Sequence, residues 1–173
     1  TATNEVVLGC RSTIIPDTVT SIGEGAFVGC ENLNKIIIPN SVIKIRAGAF
    51  SRCNGLTSLT IPDSVTIIEN QAFEKCHRLT EVLIPNSMAT IGNYAFAGCN
   101  GLFSVTIPSG LKNIGICAFA DCPNLTSIVV EDGNSTYDSR NNCNAIIETA
   151  TNEVVLGCRS TIIPDTVTSI GEG

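Results

Sequence analysis

Charge and histidine are scarce in this sequence, and no long apolar run occurs. Charged residues make up 15% of 173 positions, with ten Lys plus Arg against sixteen Asp plus Glu and no run of either sign. Nucleic acid and anionic membrane surfaces both require clustered cations, so a net charge of -6 without a basic stripe excludes both as partners. No segment approaches the roughly 18 consecutive apolar residues of a membrane span, and membrane insertion is not expected. The opening residues Thr1-Ala2-Thr3-Asn4-Glu5 are not the basic start of a signal peptide, which places any export signal outside this stretch. The sole histidine, His77, leaves a nucleophilic triad without an obvious base. There is no G-x-S-x-G, no Gly-rich phosphate loop and no C-x-x-C pair. The expectation is therefore no enzyme, no metal and no cofactor.

What the sequence does have is periodicity. Phe27, Phe50, Phe73, Phe96 and Phe119 recur at one constant step. The same step carries Ala26 to Ala118, Cys30 to Cys122, Leu33 to Leu125, Ile22 to Ile114 and Pro16 to Pro108. One unit reads V-x-x-I-x-x-x-A-F-x-x-C-x-x-L-x-x-h-x-I-P, with h aliphatic. A period in the range of about 20–29 residues that ends in a strand-like L-x-x-h-x-I belongs to leucine-rich solenoids, whose coils cannot bury their apolar edges alone. With 43% apolar residues the chain can form one continuous domain over residues 1–173.

Within a coil, Leu56-Thr57-Ser58-Leu59-Thr60-Ile61 alternates as a half-buried strand does, with Leu59 and Ile61 inward. Pro62-Asp63 ends it, and a second strand is expected over Val65-Thr66-Ile67-Ile68. The A-F-x-x-C stretch is too short for more than a turn or two, which predicts a brief α or 3₁₀ segment. The fold class is thus a leucine-rich-repeat solenoid, an α/β superhelix rich in β.

A second period is superimposed on the first. Residues 1–25 and 149–173 are identical, and between Pro108 and Pro164 the spacing stretches beyond the regular step. Residues 129–163 therefore form a longer repeat, and the stretch from Asn144 to Leu156 reads as two strands around a polar turn, a hairpin. The chain starts within that hairpin pattern and stops mid-repeat, as one period of a longer tandem array would. Terminal coils usually need a polar outer face, so end-to-end self-association is expected, with the duplicated segment allowing exchange between chains.

The short unit, as in Leu56 to Val65 followed by Ala72-Phe73-Glu74-Lys75-Cys76, resembles the BspA-like class of leucine-rich repeats. So does the long unit, through Asn134-x-x-Tyr137-x-Ser139 and Asn144-Ala145-Ile146-Ile147. The resemblance implies an extracellular or cell-surface protein of host-associated microbes, in a family whose members bind matrix proteins such as fibronectin and fibrinogen or mediate attachment. It transfers no residue-level site.

Several residues invite chemistry and have a plainer reading. Cys30, Cys53, Cys76, Cys99 and Cys122 share one column and read as small buried hydrophobes. Cys143 and Cys158 lie equidistant from the Ala150-Thr151 midpoint, so a symmetric hairpin would bring them opposite each other and permit a disulfide, which a one-residue bulge would misalign. Cys10 is expected free. Asp132, Asn134, Thr136 and Asp138 have the every-other-residue oxygen spacing of a calcium loop but lack its central Gly and terminal Glu. Asn124-Leu125-Thr126 and Asn134-Ser135-Thr136 match the N-glycosylation pattern. His77 falls in a column of bend residues and should be a surface side chain.

Ligand contact is expected on the outward strand positions, because a solenoid presents a regular sheet on one side. These are Lys35, Ile37, Ser58, Thr60, Glu81, Leu83, Ser104, Thr106, Ser127 and Val129, with Phe103 replacing the polar residues of its column. Phe103, Leu83 and Val129 together would make an apolar interaction patch. Two functions compete: an adhesin-like module that binds a protein on a host or neighbouring cell, and a structural spacer with no ligand of its own.

Overall fold

The computed structural model describes residues 4–6 and 14–171. The chain forms a β-solenoid of about five regular coils followed by the longer repeat, with almost no helix. Its strands, in chain order, are β1 (Glu5–Val6), β2 (Ser21–Ile22), β3 (Lys44–Ile45), β4 (Ser58–Thr60), β5 (Ile67–Ile68), β6 (Glu81–Leu83) and β7 (Thr90–Ile91). They continue with β8 (Ser104–Ile107), β9 (Asn113–Ile114), β10 (Ser127–Val130), β11 (Tyr137–Asp138), β12 (Ala145–Glu148), β13 (Glu153–Gly157) and β14 (Ser169–Ile170). β1, β2, β3, β5, β7 and β9 line up as one sheet, and successive coils pair parallel so that Ile22, Ile45, Ile68, Ile91 and Ile114 form a column. The strand expected over residues 65–68 is only the pair Ile67–Ile68, since Val65 is already committed to the turn from Pro62 through its own N–H.

The core runs along the solenoid as stacked columns. Phe27, Phe50, Phe73, Phe96 and Phe119 are buried, with successive ring centroids 4.9, 5.2, 5.2 and 5.2 Å apart and planes within 9° of parallel. That spacing matches the distance between hydrogen-bonded strands, so each ring rests on the next without a gap.

The A-F-x-x-C stretches are not helical, contrary to the expectation. Among the described residues the one short 3₁₀ element is Arg140–Asn142. In the turn holding Phe50, the N–H groups of Gly48, Phe50 and Arg52 donate to Asn70, Ala72 and Glu74 of the following coil, while Ala49, Ser51 and Cys53 bond back three residues. A helix needs every N–H for its own ladder. Here alternate donors serve the neighbouring coil, and the alternation forces two residues per coil to positive φ: Gly25 and Gly29, Gly48 and Arg52, Gln71 and Lys75, Tyr94 and Gly98, Cys117 and Asp121. Non-glycine residues tolerate this strained region because the intercoil bonds fix it.

The cysteine column has a part beyond filling space. The thiols of Cys53, Cys76, Cys99 and Cys122 donate to the carbonyls of Phe27, Phe50, Phe73 and Phe96 in the preceding coil, at 3.0 to 3.4 Å. Burial, reinforced by neighbouring thiols, pushes Cys53 and Cys76 up to about 12. Cys122 is pushed to about 11, chiefly by burial, and Cys99 also lies well above the ordinary value. These sulfurs stay protonated, weak donors rather than nucleophiles or metal ligands.

In the long repeat, β11, β12 and β13 are antiparallel neighbours and β14 adds parallel to β13. The expected hairpin is β12–β13, but its register shifts at Ile146/Ile147: Ile146 faces Leu156 and Ile147 faces Val154, leaving Val155 unpaired. This bulge carries Cys158 beside Asn144, whose carbonyl oxygen lies 3.4 Å from its sulfur. Cys143 is buried with Ala145, Ile147 and Val154. Both thiols are free, so the Cys143–Cys158 disulfide does not form. Cys10 lies outside the described residues.

The N-x-x-Y-x-S motif locks this repeat to the last regular coil. Asn134 donates to the carbonyls of Pro108 and Leu111, and its oxygen accepts from the N–H groups of Thr136 and Tyr137. Tyr137 Oη accepts from Ile114 N–H, and Ser139 Oγ accepts from Val130 N–H. The Asp138 carboxylate takes both ends of the Arg140 guanidinium, at 2.8 and 2.5 Å, and Arg140 also reaches Asn152. That pairing holds the Asp138 carboxyl below the usual range, against the opposing push of partial burial. The side-chain oxygens of Asn134 and Asp138 are therefore engaged within the protein.

Candidate interaction face

The strands that follow the leucine column form a second face, and its hydrogen bonding is unlike that of the turns. β4 pairs β6 and β8 pairs β10, each parallel and in register, but these remain two separate two-stranded sheets. Residues 35–37 of the second coil lie outside any strand, although their burial alternates. Thr80 and Thr126 add hydroxyl bonds to the carbonyls of Thr57 and Phe103 in the coils before them. Phe103 has no hydroxyl with which to do the same for Thr80, and the break between β6 and β8 falls at this coil.

Alternation along these strands turns the expected positions outward. Lys35, Ile37, Ser58, Thr60, Glu81, Leu83, Phe103, Ser104, Thr106 and Val129 are exposed, and Ser127 is half-buried. Ile36, Leu59, Val82, Val105 and Ile128 point into the core. Four of the exposed side chains are large and apolar: Ile37 at 76%, Leu83 and Phe103 at 55%, and Val129 at 47%. The parallel registers put Thr60 beside Leu83 and Thr106 beside Val129. One row across the coils thus reads Ile37, Thr60, Leu83, Thr106, Val129, apolar residues alternating with threonine.

Phe103 belongs to a different row, with Thr80 and Thr126, on the far side of the Ser104 row. The structure therefore does not gather Phe103, Leu83 and Val129 into one patch. It distributes them as apolar points on a surface of serine and threonine. The fourth, Ile37, borders a groove of 470 Å³ between residues 35–38 and Ser58–Ile61, which Asn40 and Asp63 also line. The apolar–Thr alternation was present in the sequence and could have been read once the repeat columns were aligned.

A further cavity of 610 Å³ lies where the fifth coil meets β13, bordered by Phe119, Leu125, Val155, Leu156, Cys117, Cys122 and Cys158. No set of three His, Cys, Asp or Glu side chains among the described residues is placed to hold a metal. His77 is exposed. No helix among the described residues is long and apolar enough to cross a membrane.

The family described as BspA type leucine rich repeat region matches in six copies, over residues 8–126 and 66–155. The chain belongs to that family. Several solved bacterial structures are similar to it. A leucine-rich repeat protein of T. pallidum is 36% identical over 64% of this chain and 51% of its own, with a TM-score of 0.63. One from Bacteroides ovatus is 34% identical over 91% of this chain and 44% of its own, with a TM-score of 0.56. A leucine rich cell surface protein of Faecalibacterium prausnitzii is 28% identical over 81% and 44%, with a TM-score of 0.64. The present chain thus spans about half the length, or less, of these three proteins. No curated protein matches it.

Proposed function

We propose that this BspA-type chain is a non-catalytic, cell-surface binding module that engages a protein ligand through the strand face. The observation that carries the reading is the set of exposed apolar side chains, Ile37, Leu83, Phe103 and Val129, on strands whose other outward residues are small and polar. Rigid strands present these residues with little entropy left to lose on binding, and isolated aromatic or aliphatic anchors within a polar surround are how protein interfaces concentrate their energy. The surface location rests on the cell-surface character of the Faecalibacterium relative. Matrix proteins such as fibronectin and fibrinogen are the first ligands to try.

The test is equilibrium binding of the purified chain to immobilised fibronectin and fibrinogen at physiological salt, beside Leu83→Asp and Phe103→Asp variants. Saturable binding weakened by about tenfold or more in either variant is the expected result, the loss typical of an interface anchor. Absence of binding by the parent chain to both proteins would overturn the matrix-ligand reading and favour a spacer.

A further inference from the structure

The row Ile37, Thr60, Leu83, Thr106, Val129 alternates in height as well as in polarity. Its aliphatic side chains stand out from the face as posts, and each shorter threonine leaves a dip between two of them. The dips over Thr60 and Thr106 lie two coils apart. The groove between residues 35–38 and Ser58–Ile61 opens onto the first of them. Beside this row runs a second, Lys35, Ser58, Glu81, Ser104, Ser127, in which Ser58 lies beside Glu81 and Ser104 beside Ser127. Its two charges also sit two coils apart, with opposite signs, and neither belongs to an ion pair among the described residues. The hydroxyls of Ser58, Thr60, Ser104 and Thr106 are likewise unengaged among the described residues, unlike those of Thr80 and Thr126, which bond to the preceding coil.

Hydrogen-bonded strands lie about 4.8 Å apart, so two coils advance about 9.6 Å along the solenoid. A ligand lying across the strands must repeat at that distance to use every dip. A polyproline II helix rises about 3.1 Å per residue with three residues per turn, which is about 9.3 Å. An α-helix completes two turns in about 10.8 Å and slips by more than about 1 Å at each dip. An extended strand returns a side chain to one face every ~6.7 Å and falls out of step at once. Of the three, the polyproline helix keeps one side chain over each dip. Its backbone has no internal hydrogen bonds, which leaves its carbonyls free to accept from the serine and threonine hydroxyls. With three residues per turn it presents a second edge to the row of Lys35 and Glu81.

We infer that the strand face binds a polyproline-type segment of its protein ligand, laid along the solenoid axis with an apolar residue at every third position. The inference rests on the binding role proposed above and names the conformation of the ligand. One apolar residue of the segment packs in each dip, on the threonine methyl and between the aliphatic side chains to either side. The neighbouring edge carries an acidic residue over Lys35 and, three positions away, a basic residue over Glu81. Those contacts fix direction more than affinity, because exposed ion pairs contribute little while opposed like charges are penalised. A preformed polyproline segment loses little conformational entropy on docking, which suits a shallow face with few anchors.

Fluorescence anisotropy of labelled synthetic peptides titrated with the full chain tests this. The probes are Pro-X-Pro triplet repeats of about 12 residues, roughly four turns, with Glu and Lys as X in adjacent triplets, in either order, and Ser as every other X. A third peptide of the same composition has Glu and Lys two positions apart, so that they leave their common edge. The expected result is saturable binding with a preference of roughly fivefold for one charge order and weaker binding of the third peptide. Lys35→Glu/Glu81→Lys should reverse the preference, which a loss of folding would not do, and Leu83→Ser should weaken both by about tenfold. No binding up to the solubility limit of the peptides would overturn the inference, as would binding indifferent to charge order and spacing. Binding of fibronectin or fibrinogen without the peptides would leave the binding module standing and remove the polyproline segment. Peptide binding with the reversed preference supports the inference whether or not either matrix protein binds.

Discussion

The turn face and the strand face of each coil are built from the same repeat unit and hold the solenoid together to different degrees. On the turn face each of the first four coils donates three N–H groups forward, the thiols of Cys53, Cys76, Cys99 and Cys122 donate back, and the phenylalanine rings stack without interruption from Phe27 to Phe119. On the strand face the ladder is bonded in pairs only, and its outward residues touch solvent. A solenoid needs each coil fastened to its neighbours along one continuous side. The other side is then free to vary in side chain, and to open in places, without loss of the fold.

The sharpest way to break this comparison is to remove one element from each face. Phe73→Ala leaves a hole between Phe50 and Phe96 and should cost about 3–5 kcal/mol in denaturant unfolding. Leu83→Ala on the strand face should change stability by no more than about 0.5 kcal/mol. Comparable losses from the two would remove the distinction.

Alkali probes the turn face through its thiols. Cys53 and Cys76 have folded values of about 12, above the ordinary thiol value near 8.5, so the unfolded chain releases their protons first. Their contribution is fully present below about pH 8.5 and is lost as pH rises from there towards the folded value. The melting temperature should fall through that window, and a Cys53→Ala/Cys76→Ala double variant, though less stable at neutral pH, should fall less steeply.

The strand face can be improved at the expense of its proposed task. Phe103→Thr supplies the hydroxyl missing at the β6–β8 break and should raise stability by about 1 kcal/mol, the ordinary worth of a hydrogen bond. Hydrogen exchange should slow in residues 104–107, while ligand binding should weaken.

The smallest effect is expected in the long repeat. The Arg140 pairing depresses the Asp138 carboxyl, so its contribution is present above the ordinary aspartate value near 3.9 and disappears as pH falls through the folded value. Asp138→Asn should therefore be slightly less stable than the parent at neutral pH, and the difference should shrink as pH falls below about 4, followed by circular dichroism across acid unfolding.

Much of this was legible before any coordinates. The repeat columns revealed the coil, its stacking on copies of itself and the inward and outward residues of the strands, because a repeat that buries its apolar edge against copies of itself must keep those positions in phase. The hairpin was legible from its two apolar runs. The non-helical A-F-x-x-C turn was not: so short a stretch cannot carry a helical period, and what excludes helix is the demand of the next coil for alternate N–H groups. Nor was the Val155 bulge, a single-residue shift that separates Cys143 from Cys158 and leaves the alternation of neighbouring residues intact. The donors that hold Asn134 and Asp138 were not legible either, since side-chain oxygens at regular intervals say nothing of the groups that bond them.

The duplicated segment divides the two kinds of knowledge most cleanly. Local pairing follows from the sequence, because Ser21–Ile22 and Ser169–Ile170 find the same partner strand in the same register wherever the segment occurs. Burial does not, because it belongs to whatever lies alongside. Ile22 and Ile170 are the same residue in the same local structure, one sealed and one open, and only the packing of the coil beginning at Ala26 makes the difference.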